Sequence, residues 1–130
     1  MAELLTADDF FTGLFAALAL KGRKVFTLRS TRFDEAVSGA YEELRKRADA
    51  EGVDVGFRIF LHPIYGSSGT VRESITRAAQ RDIVSFDNPE YQKIRLKVSK
   101  DNADLFLAGL PANGALYKDL AECFLSSYEE

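Results

Sequence analysis

A chain of 130 residues, 46% apolar and 28% charged, has the composition of one globular domain with a single core, which sets aside global disorder. One cysteine excludes an internal disulfide and fits a reducing compartment, and the opening residues lack the positive n-region of a signal peptide. The net charge of −3 is unevenly spread: residues 1–20 carry three acids and no base, residues 101–130 carry six acids against Lys118, and residues 21–100 hold 16 bases and 11 acids, a net of +5. A basic centre between acidic ends permits an anionic partner that a uniform −3 would argue against.

Thr6 and Asp9 have the spacing of a capping box, and Phe10, Leu14, Phe15 and Leu18 then recur at helical intervals. Phe11, Ala16, Ala17 and Leu20 make this helix apolar nearly all round, so either its own domain or a second subunit must bury it; Gly22 ends it. The apolar run is too short to span a bilayer, and the expectation is a soluble, cytoplasmic protein with no membrane partner. Residues 21–32 contain five bases and no acid around the strand-like run 25–28. They read either as an arm on a polyanion, with Arg23, Lys24 and Arg29 as candidate contacts, or as a solvated connector that complements a helix dipole and the acidic tail.

Thr31 and Asp34 are expected to cap the next helix, which buries Phe33, Val37, Ala40, Leu44 and Ala48. Glu42 with Lys46 and Glu43 with Arg47 are favourable pairs on its wet side, and Gly52 closes it. Residues 53–61 alternate as a half-buried strand that ends at Pro63. His62 is the only histidine, with no second ligand of its kind and no nucleophile nearby in sequence, and reads as a structural or surface residue.

Gly66, Ser67, Ser68 and Gly69 form an entry loop whose amides suit an anion but which lacks the Lys-Ser/Thr of a Walker loop. Thr70 and Glu73 predict a capping box opening a helix with Val71, Ile75, Ala78 and Ala79 inward. Arg72, Thr76 and Gln80 make the opposite row, flanked by Arg77 and Arg81. The helix is expected to stop near Asp82, Ile83 and Val84 to start a strand, and residues 87–90 to turn. From Tyr91 the chain alternates, with Ile94, Leu96 and Val98 on one face and Lys93, Arg95 and Lys97 on the other. A short helix feeding a hairpin with a basic strand resembles the recognition helix and wing of a winged-helix domain, over residues 70–98. The resemblance implies a small bacterial-style DNA-binding or regulatory protein. In it Arg72, Thr76, Arg77 and Gln80 face base edges and Lys93, Arg95 and Lys97 track the phosphates of duplex nucleic acid.

A short helix from Asp101 or Asn102 carries Leu105, Phe106 and Leu107, and a last helix carries Leu116, Leu120, Cys123 and Phe124 on one stripe beside Tyr117 and Tyr128. Cys123 reads as a small buried hydrophobe. The order is α–α–β–α–β–β–α–α: one α+β domain over residues 1–130, with about five helices and a small antiparallel sheet. Hydrolytic chemistry would have to recruit His62, Cys123 and carboxylates scattered over separate elements, so no enzyme, catalytic residue, metal or cofactor is expected. The alternative is a protein-interaction or assembly subunit that uses its apolar terminal helices and binds no nucleic acid. Both hold together if those helices join copies into a homo-oligomer, most simply a dimer.

Overall fold

The computed structural model describes residues 3–27, 32–59, 69–86, 93–112 and 114–128. Arg29, His62, the loop at 66–68 and the turn at 87–90 lie outside them. Strand β1 (Glu3–Leu5) leads into helix α1 (Ala7–Leu20), where Thr6 and Asp9 form the expected capping box. Gly22, at φ 81°, ends the helix with the Arg23 N–H reaching back to Leu18 O at 3.1 Å, a Schellman closure that needs the left-handed conformation glycine adopts freely. Every residue from Phe10 to Ala19 is buried, because α1 packs against α3 (Gly69–Gln80), α4 (Lys100–Ala108) and α5 (Gly114–Tyr128) of the same chain. The all-round apolar surface of α1 is thus used up within one copy and calls for no second subunit.

Two contacts fix the helices. At Gly13 an added Cβ would stand 2.2 Å from Tyr117 Cδ1, so the α5 tyrosine lies directly on the α1 backbone. Its hydroxyl donates to Pro111 O at 2.7 Å, and burial pushes the phenol well above its ordinary pKa. Helix α2 (Arg32–Glu51) runs along α5, where Phe33 and Phe124 join Phe26 and Tyr128 in an aromatic cluster with centroids 5.2 to 6.1 Å apart. Arg47 ties the two helices through Asp119 at 2.7 Å and also takes Glu51, not the Glu43 one turn earlier.

The cluster pins β2 (Val25–Thr27) beneath the helices, and the Thr27 N–H donates to Tyr128 Oη at 2.9 Å. Strands β2, β5 (Lys93–Leu96) and β4 (Val84–Phe86) form an antiparallel sheet in the order β2-β5-β4. A separate two-stranded parallel sheet joins β1 to β3 (Val53–Val55). The fold is therefore α+β with a small antiparallel sheet, as expected; the described residues hold five helices and three antiparallel strands, and the order gains β1 and β2.

Several local readings change. The long strand expected over 53–61 ends at Val55, where its partner β1 gives way to the Thr6 cap of α1; the Gly56 N–H still donates to Leu5 O at 2.9 Å as the last bond of the parallel ladder, and a Cβ on Gly56 would meet Leu4 Cδ1 at 2.6 Å. Helix α3 starts at Gly69, which places Thr70 inside the first turn instead of at the cap. Ser99 caps α4, accepting from the Asn102 N–H at 3.2 Å, and Leu105 faces outward at 73% exposure. Among the described residues no helix is long and apolar enough to cross a membrane.

Candidate nucleic-acid interface

The alternation in β5 has the expected physical outcome. Ile94, Leu96 and Val98 are buried while Lys93, Arg95 and Lys97 are exposed, so the strand shows its bases on the face away from the core. The register sets Arg95 between Val25 of β2 and Ser85 of β4, with Thr27 opposite Lys93. Directly paired residues share a face, so Val25, Thr27, Ser85, Lys93 and Arg95 form one outer surface, with no acid among these described residues. Val25 is 41% exposed on it.

Lys24 stands one residue before β2. Its carbonyl accepts the Leu96 N–H at 2.7 Å, which continues the β2–β5 ladder by one residue and sets Lys24 opposite Leu96, on the other face from Arg95, although its side chain is exposed at the strand end. Neither Lys24 nor Lys93 has a carboxylate partner among the described residues. Arg23 lies with its guanidinium 5.7 Å from the centroid of the buried Phe26 ring. Lys97, just past the strand, pairs with Asp82 at 2.5 Å. Asp82 (φ 66°) is the left-handed residue that ends α3, where the Ile83 N–H returns to Ala78 O at 2.9 Å; the short polar side chain of aspartate tolerates that conformation.

The α3 row is placed differently. Arg72 donates to Asp34 of α2 at 2.7 Å, and that carboxylate is fully buried. Arg77 reaches Asp8 of α1 at 2.7 Å and Ser74 Oγ at 3.1 Å, while Arg81 donates to Thr12 Oγ1 at 3.2 Å. The Thr76 hydroxyl donates back to Arg72 O, yet Thr76 remains exposed, as does Gln80. The outward line of α3 is therefore Glu73, Thr76 and Gln80, with an acid at its start. The partners Asp34, Asp8 and Thr12 lie 38 to 69 positions away in sequence, so no local spacing announces them.

Of the ten candidate contacts, Lys93 and Arg95 share the outer sheet face with Lys97 just past the strand, while Arg23 and Lys24 precede β2, Lys24 opposite Leu96 and Arg23 beside Phe26. Thr76 and Gln80 are exposed on α3, Arg72 and Arg77 tie that helix to α2 and α1, and Arg29 lies outside the described residues. Cys123 is half-buried on α5, its Sγ set 3.5 Å from Gly39 O, and burial pushes its thiol pKa up. No group of three or more His, Cys, Asp or Glu side chains suited to a metal ion occurs among the described residues. Comparison with protein-family models, with curated proteins and with solved structures finds no match to the chain.

Proposed function

We propose that the protein is a non-enzymatic nucleic-acid-binding module of winged-helix type that engages duplex backbone phosphates through the outer face of its three-stranded sheet. The observation that carries this reading is the outer sheet face on which Lys93 and Arg95 stand, with no acid among its described residues. Cations on alternate residues of one strand follow a line of phosphates, and each contact releases a condensed counterion, which gives affinity without sequence preference. The order α3, β4, β5 supplies a helix feeding directly into that surface, where the exposed Thr76 and Gln80 are the side chains suited to base edges. Arg72 and Arg77 act in this scheme as struts that set the angle of α3.

The second reading, an assembly subunit, draws on a different observation: Leu105, 73% exposed, flanks a hollow with Asn102 and Phe106 on α4. Fluorescence anisotropy with a labelled random-sequence duplex at ~50 mM salt and micromolar protein separates the two. Saturable binding is the expected result. An unchanged signal would reject the nucleic-acid reading and leave the assembly reading in front, with sedimentation equilibrium as its own test.

A further inference from the structure

Away from the sheet, between the second half of α2 and the chain just after β3, lies a cleft of about 290 Å³ lined by Tyr41, Arg45, Val55, Gly56, Phe57 and Arg58. Its floor is firmly held. Tyr41 is buried and donates its hydroxyl to Phe57 O at 3.0 Å; the two rings lie 5.3 Å apart, and Phe57 rests on Phe10 of α1 at 5.4 Å. The Gly56 N–H is fixed on Leu5 O.

The rim is basic. Arg45 stands with its guanidinium 5.9 Å from the Tyr41 centroid, Arg58 is exposed across from it, and none of the six lining residues is acidic. Arg47, Arg72 and Arg77 each hold a carboxylate, whereas neither Arg45 nor Arg58 does so among the described residues. Even Glu42 and Asp49, one helical turn either side of Arg45, form no ion pair with it.

Two guanidinium forks bordering one small cleft repel each other until an anion sits between them, and their planar donor pairs match the oxygens of a phosphate. The volume is at the lower end of small-molecule sites, which suits one compact ligand and not a polymer. We infer that this cleft binds a small phosphate monoester, its phosphate held by Arg45 and Arg58 and its apolar group set against Val55 and Phe57. The site is independent of the sheet face, so the inference stands or falls separately from nucleic-acid binding.

Titration of the full chain with phenyl phosphate at constant ionic strength, followed in ¹H–¹⁵N spectra, tests it. The Gly56, Phe57 and Arg58 amides should shift saturably with a Kd of about 1 mM or tighter. Because both arginines are exposed, R45Q/R58Q should stay folded and weaken binding about tenfold or more, while K93Q/R95Q should leave the Kd unchanged. Three results would overturn the proposal: no saturable shift at those amides, an unaltered Kd in R45Q/R58Q, or equal binding of benzoate, which would remove the preference for phosphate.

Discussion

Helix α3 and strand β5 each carry bases at the repeat of their own element, and the fold uses the two rows in opposite ways. On α3 the buried stripe of Val71, Ser74, Ile75 and Ala78 lies against the helices, and the arginines at its margins are long enough to bend inward to Asp34, Asp8 and Thr12. On β5 the outward side chains leave along the sheet normal, away from the buried Ile94 and Leu96, and Lys93 and Arg95 stay on the surface. The repeat of an element tells which residues share a face. Whether that face is left for a ligand depends on what other elements bring beside it.

This contrast makes its largest stability prediction at Arg72. Removing a partner from a fully buried carboxylate costs about 3–5 kcal/mol at most, and since Arg72 is itself part-exposed and Asp34 has further contacts, Arg72→Gln should cost about 2 kcal/mol in urea unfolding. Arg77→Gln breaks a pair whose members are both 42% exposed, and a loss below about 1 kcal/mol is expected. If Arg72→Gln left the midpoint where it was, the α3 arginines would not be structural struts and the contrast with β5 would collapse.

A smaller effect sharpens the comparison from the other side. Gln80 is exposed on α3 with no side-chain bond to another described residue, so Gln80→Ala should alter stability by no more than about 0.5 kcal/mol. In competition binding it should reduce discrimination between duplex sequences while leaving the salt dependence intact. A variant that weakened binding to every sequence equally would assign Gln80 to the phosphates and not to base edges.

How much of this was legible in the sequence depends on how local each feature is. The cap at Thr6 and Asp9, the stop at Gly22, the end of α3 at Asp82 and the alternation through β5 are set within a few residues, and each appears where expected. Strand β1 escaped notice because three residues, Glu-Leu-Leu, show no alternation and find their partner only at Val53–Val55. The apolar girdle of α1 suggested a second subunit because a sequence cannot say how many helices will surround it; α3, α4 and α5 together do. Of the apolar triplet Leu105, Phe106 and Leu107, only Leu107 faces the core fully, and which one does so is set by how α4 docks on its neighbours. The arginine partners on α1 and α2 are invisible for the same reason: they are set by tertiary packing.

The central claim is that the outer sheet face meets phosphates, and the salt dependence of duplex binding tests it most directly. With Lys93, Arg95 and one or two neighbouring bases in contact, log K should fall with log salt at a slope near −0.9 per contact, about −3 to −4 in all. K93Q/R95Q should flatten that slope by about two contacts, and Lys97→Gln should add less, because Asp82 already offsets its charge. The fold of K93Q/R95Q should be undisturbed, with a free energy of unfolding in urea within about 0.5 kcal/mol of the parent. A slope unchanged in K93Q/R95Q would contradict the account and move the contact surface elsewhere on the molecule.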